Sequence, residues 1–264
     1  MLRIFCLIGF LLLPSLVSAD IGARTSAMYL AMKSMQYCEQ NPDKCMNEVI
    51  RFGIGGHYVD SAQINTTSYG GYINLDIIDS TKNNRVQVGL SGKLGWDKHT
   101  FASTSPSVVK NSKDLAMFFE VRPKVGLNLA SKEVPLFLNL AYTLDGYSTN
   151  QNQSGYANLL HQVGLELEGI LPTQSGFNIE YALGYDYLFA GSYKFGEVSG
   201  NSAISNGYTL RASLGFSHKL TENTLYYVRA IGKYHNLSSS KPLNTLSMPA
   251  TQNYVAMVEF GIGF

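Results

Sequence analysis

From residue 49 onward apolar and polar residues alternate with a period of two, in ten stretches separated by turn residues. The cleanest stretch is 207–218, where Tyr208, Leu210, Ala212, Leu214 and Phe216 interleave with Thr209, Arg211, Ser213, Gly215 and Ser217. In 177–187, Phe177, Ile179, Tyr181, Leu183 and Tyr185 alternate with Asn178, Glu180, Ala182, Gly184 and Asp186. In 114–129 one phase carries Leu115, Met117, Phe119, Val121, Val125 and Leu127, and the other carries Glu120, Arg122, Lys124 and Asn128. The remaining stretches are 49–59, 68–78, 85–96, 134–145, 158–170, 224–234 and 252–264. A period of two sends successive side chains to opposite faces of a strand. Each stretch also reaches the roughly 9–11 residues with which a tilted strand crosses a bilayer.

Two further patterns separate a membrane barrel from a soluble sandwich, which would also alternate. Four short connections (79–84, 130–133, 171–176 and 219–223) interleave with five longer ones (60–67, 97–113, 146–157, 188–206 and 235–251). Threading the strands up and down then puts Tyr58, Tyr69, Trp96, Tyr142, Tyr187, Tyr208, Tyr234 and Tyr254 near the long-loop ends, all on the apolar phase. Phe52, Phe177, Phe216 and Phe264 fall near the other ends. Two aromatic belts bounding an apolar band mark a protein surrounded by lipid. The expected fold is all-β: a ten-stranded antiparallel up-and-down transmembrane β-barrel, with both termini on the short-turn, periplasmic side.

The first 48 residues follow another pattern. Arg3, the apolar run Ile4–Leu13, and Val17-Ser18-Ala19 make a secretory signal peptide over 1–19, too short for a membrane helix. Cys6 lies inside that run. Residues 20–48 then read as a short helical extension, in the periplasm or plugging the lumen, ahead of a barrel over 49–264. Ala27, Met28, Leu30, Ala31, Met32 and Met35 supply its helix-like apolar face. Cys38 and Cys45 bracket the turn Asn41-Pro42-Asp43 and are the cysteines that remain after cleavage. In an oxidising compartment such a pair is expected to close as a disulfide, worth about 2–3 kcal/mol in the loop-entropy model. A metal site would need more ligands than lie nearby, and no cofactor is implied.

Composition narrows the classes. A net charge of +1 with 15% charged residues lacks the basic excess that a nucleic-acid binder needs. A hydrophobic share of 45% argues against disorder. Mean hydropathy near zero (−0.02), without a long apolar run in the mature chain, is what fine alternation produces.

The chain ends in an amphipathic strand, Tyr254-Val-Ala-Met-Val-Glu-Phe-Gly-Ile-Gly-Phe264, with Val258, Phe260, Ile262 and Phe264 on one face. This resembles the C-terminal assembly signal of Gram-negative outer-membrane proteins. The resemblance implies recognition by the barrel-assembly machinery, a location in the outer membrane, and contact with its lipid and lipopolysaccharide. In size the chain is similar to small barrels of the OmpA/OmpX and Opc-adhesin type and to omptins.

The inward phase is rich in charge. Arg51, Arg85, Lys93, Arg122, Lys124, Arg211, Arg229 and Lys233 nearly balance Asp76, Asp97, Glu120, Asp145, Glu166, Glu168, Glu180, Asp186 and Glu259. An acidic arc of Asp145, Glu166, Glu168, Glu180 and Asp186 on three consecutive strands is expected to face a basic arc of Arg211, Arg229 and Lys233, with Arg51 across the closure. A ten-stranded barrel is narrow, and unpaired charge inside it is costly. The favoured reading is therefore a charge-paired lumen in a barrel with a structural or surface-interaction, adhesin-like role. Its Ser-, Asn-, Thr- and Gly-rich loops would meet a surface or host ligand. A narrow porin-like channel for small solutes is the first alternative.

Surface hydrolysis is the second. Asp97-Lys98-His99 resembles the Asp-x-His half of an omptin protease site, which places Asp97 and His99 at the rim as candidate catalytic residues, although the partner acidic pair has no counterpart in a matching loop. A Ser–His pair would suit a lipid-modifying enzyme. His235 and Ser238 lie close in sequence, whereas His57, His161 and His218 sit within strands.

Overall fold

The computed structural model describes residues 46–61, 66–81, 85–101, 113–149, 156–173, 177–196, 198–221, 224–244 and 246–264. The strands are β1 (Met46–Ser61), β2 (Thr66–Thr81), β3 (Val86–Phe101), β4 (Lys113–Asn128), β5 (Leu136–Thr149), β6 (Tyr156–Pro172), β7 (Phe177–Phe195), β8 (Ser202–Ile204), β9 (Gly207–Lys219), β10 (Leu225–Leu237) and β11 (Thr251–Gly263). Among the described residues there is no helix. The helical extension and the Cys38–Cys45 disulfide lie outside the described residues, and β1 begins three residues before the expected barrel start.

All strands except β8 form one closed antiparallel barrel of ten. Each pairs with its neighbours in sequence, β6 joins β7, β7 joins β9, and β1 pairs with β11 to close the ring. At the seam Phe264 N donates to Ile50 O at 2.9 Å and Ile50 N donates to Phe264 O at 3.0 Å. Closure leaves no barrel strand with an unpaired edge.

Period-two alternation appears as burial. Along β11, Val255, Met257 and Glu259 are buried inside, while Ala256, Val258, Phe260 and Ile262 face out. The outward phase is strongly apolar, and Leu115, Leu183 and Leu214 are 65%, 63% and 62% exposed. In water such a surface would be an aggregation liability; in lipid it is matched. Tyr58 pairs across from Tyr69, Tyr187 from Tyr208 and Tyr234 from Tyr254, so one aromatic belt is continuous in register. We call this belt's end distal and the other, which carries Phe264, proximal.

The expected loop alternation fails at two places. The distal links 62–65, between β1 and β2, and 150–155, between β5 and β6, are both shorter than the proximal link 129–135; β1 and β2 keep pairing out to Ser61 and Thr66. Much of the remaining expected loop length is strand as well. β7 continues to Phe195, eight residues past its belt residue Tyr187. A register shift opposite His161 and Gln162 exchanges the phases of β7, from Asp186 and Leu188 facing in to Tyr193 and Phe195 facing in. These join Tyr156, Leu160, Ile204, Leu237 and Met248 in an apolar cluster that caps one side of the distal mouth. β8 braces it through Ser202–Ile204 on β7 and through an Ile204–Ser240 bridge to 238–250.

Candidate functional site

Inside the barrel most ion pairs connect strands that are not neighbours in the ring. Glu120 of β4 accepts from both terminal nitrogens of Arg211 (β9) at 3.1 and 2.9 Å and also pairs with Lys233 (β10). In the ring order β4 and β10 stand opposite one another, so the Glu120–Lys233 pair spans the lumen. Arg122 pairs with Asp186 at 2.7 Å and with Glu166 at 3.2 Å. Lys124 reaches Glu166 at 3.3 Å and Glu168 at 2.5 Å. Nearer the proximal end Arg51 clamps Glu180 through two bonds of 2.7 and 2.9 Å, and Arg229 pairs with Asp76 at 2.6 Å and with Glu259.

The partners differ from the expected arcs. Glu166 and Glu168 take cations from β4, two strands away, rather than Arg211, Arg229 or Lys233. Those three turn mainly to Glu120, Asp76 and Glu259, while Arg51 with Glu180, and Arg211 with Asp186 at 3.9 Å, meet as the arcs imply. Asp145 sits across the ladder from Glu120 and lines a cavity with Lys233. Arg85 is exposed in the proximal turn before β3, not in the lumen. Pairing of this kind satisfies charges that would be expensive to bury alone. It leaves two cavities of about 70 Å³ each, one on either side of the Glu120 crossing.

The distal cavity holds the chemistry. His57 Nδ1 lies 2.7 Å from Asp97 Oδ2 although Asp97 is on β3 and His57 on β1. Gly70 stands between them on β2. With no side chain there, the two groups meet across the intervening strand. Phe118 packs on the His57 ring, with centroids 4.1 Å apart. His99, opposite Ser68 in register, has Nδ1 at 2.5 Å from Ser68 Oγ and 2.7 Å from the Tyr147 hydroxyl. Asp97 and His99 therefore serve different partners and lie buried in the lumen, not on an open rim. His235 Nδ1 bonds Thr209 Oγ1 at 2.8 Å, and Ser238 bonds Ser205 at 3.1 Å, so those two sequence neighbours form no dyad. His161 and His218 face outward, against Tyr142 and Phe177 respectively. Among the described residues no cluster of three or more His, Cys, Asp or Glu side chains is arranged to hold a metal ion.

Ser68 and Tyr147 were not read from the sequence as site residues; each lies near the distal end of a strand that reaches further than its alternation. No protein-family model and no curated protein sequence matches the chain. Among solved structures it is similar to the outer-membrane protease OmpT from Escherichia coli, at 13% identity and a TM-score of 0.52, over 84% of this chain and 97% of that one. The chain has the fold of an outer-membrane β-barrel.

Looser likenesses to this barrel are the translocator domain of the autotransporter NalP from Neisseria meningitidis and the β domain of the Bordetella autotransporter BrkA. The first has 13% identity and a TM-score of 0.40, over 94% of this chain and 99% of that one. The second has 9% identity and a TM-score of 0.42, over 83% and 99%. At such identities the likeness concerns the fold. The barrel's work has to be argued from its own residues.

Proposed function

We propose that this is an integral outer-membrane barrel with a closed lumen and periplasmic termini, whose role is structural or adhesin-like and exerted through its distal, outward-facing end. The observation that carries the reading is the crossing at Glu120, where one carboxylate holds Arg211 and Lys233 from the far side of the ring. A solute would have to part those buried charge pairs to pass, and a wall-lined pore asks for no such step. Lipid and lipopolysaccharide would contact the apolar band, and the assembly machinery would read Phe260 and Ile262 on the outward face of β11 together with the exposed Phe264 just past its end. A narrow channel is the competing reading.

Planar-bilayer recording of the purified barrel separates the two. Closed-state current near the noise level is expected, and a steady open current in most insertions would favour the channel. Sidedness has its own test. A cysteine replacing the exposed Ser199 should react with an impermeant maleimide on intact cells, and one replacing the exposed Glu133 should not. The opposite pattern would reverse the topology.

A further inference from the structure

The distal cavity contains a nucleophile–base arrangement that the closed-lumen reading does not use. Ser68 Oγ, His99 Nδ1 and the Tyr147 hydroxyl form a triangle with sides of 2.5, 2.7 and 2.7 Å. The His99 ring is held in place by Tyr147 and Tyr156, with centroids at 5.7 and 6.3 Å. This polar layer lies between two apolar clusters. On one side is the cap around Tyr156 and Leu188, and on the other Tyr72, Phe118, Ile231, Val255 and Met257. Packing alone could have continued from one to the other. Polar groups kept between them carry a desolvation cost that an apolar layer avoids. The cavity runs from Ser68 and His99 to Ser61, Thr66 and Asn253 at the ends of β1, β2 and β11.

We propose that this cavity is a serine-type acyl-transfer site for short-chain carboxylic esters, with Ser68 as nucleophile, His99 as general base and Tyr147 as oxyanion donor. An imidazole nitrogen within hydrogen-bond reach of a hydroxyl is the arrangement that activates it. Ser68 Oγ attacks the ester carbonyl carbon as its proton passes to His99 Nδ1. The negative oxygen of the tetrahedral intermediate accepts a bond from the Tyr147 hydroxyl, which already lies beside the nucleophile. The bond from carbonyl carbon to alcohol oxygen breaks, and the alcohol leaves with the proton from His99. Water then attacks the acyl group and gives its proton to His99, which returns it to Ser68 as the carboxylic acid departs. Val59, Val255, Met257 and Leu160 line the same cavity, and its volume of about 70 Å³ suits an acyl group of a few carbons.

The test uses the folded full-length barrel in detergent, a fluorophosphonate probe with mass-spectrometric mapping, and p-nitrophenyl acetate and butyrate as substrates. The expected result is an adduct on Ser68, absent from heat-unfolded protein. His99→Asn should slow labelling and ester hydrolysis by about 100-fold, the scale of general-base assistance. Tyr147→Phe should lower ester turnover by a similar factor while the barrel still shifts its gel mobility on boiling. Folded wild-type protein with no adduct on Ser68, or an adduct on Tyr147 instead, overturns the proposal. So does labelling that His99→Asn leaves unchanged. The wild-type map decides even where a variant fails to assemble, and conductance decides the closed-lumen reading separately.

Discussion

Glu120→Gln is expected to give the barrel a conductance that the wild type lacks, and to lower the temperature at which it unfolds in detergent. The amide can accept at one oxygen but carries no charge, so Arg211 and Lys233 lose the carboxylate they share. Two buried cations that have lost their shared carboxylate repel each other and draw in water and counterions, with only the more distant Asp186 beside Arg211 and Asp145 near Lys233 to offset them. Removing one member of a buried ion pair costs about 3–5 kcal/mol where relaxation is small. The resulting current should prefer anions, since the uncompensated charge at the constriction is positive. Bilayer recordings and thermal gel-shift midpoints check both parts. Unaltered midpoints together with a silent bilayer would mean that the crossing neither blocks the lumen nor stabilises it.

Gly70→Ala should be the most damaging single-methyl change in the distal half. A Cβ at that position would lie 1.9 Å from the Trp96 carbonyl oxygen and 2.6 Å from Asp97 Oδ1. The first neighbour is backbone and cannot rotate away, so β2 and β3 would have to separate there. Overpacking of this kind costs about 1–3 kcal/mol and sometimes more. The same methyl intrudes between His57 and Asp97. Reduced yield of heat-modifiable barrel is expected, with the surviving fraction unfolding at lower temperature. Gly56→Ala is the control, because a Cβ there meets no atom within 4 Å, and it should assemble like the wild type. Equal behaviour of the two variants would show that the β2–β3 contact has slack.

The strand phases, the aromatic belts and the inward charges were legible because each is set locally, by which side of the pleat a residue occupies. Partnership was not. Glu166 and Glu180 look equivalent in the sequence, yet one meets Arg122 and Lys124 and the other Arg51, because cross-lumen neighbours depend on stagger around the ring. The Ser68–His99 contact was within reach. The β2–β3 register is symmetric about Asn83-Asn84, so a hairpin folded on that pair would have set the two residues opposite one another. The β7 register shift had no such sign, and the phase exchange it causes hid Tyr193 and Phe195 as core residues. Loop lengths misled because ladder pairing carried on past the belts wherever the inward side chains could still be buried.

The seam between β1 and β11 joins the first and last strands of the chain. Every other strand pairing of the barrel can form between barrel strands that follow one another in the chain, but this one waits for β11. Until then the partly built sheet has two free edges, each a row of unsatisfied donors and acceptors, and an apolar outer face besides. Such an intermediate can recruit a foreign strand as readily as its own. Its loop-closure entropy also falls due all at once, at the last step, which sets a high contact order and slow spontaneous folding. Refolding from denaturant should therefore depend on protein concentration through competing aggregation. Joining the present ends through a linker and opening the chain at 62–65 would move the waiting step to a different seam, and would show whether the barrel needs to close last where it does.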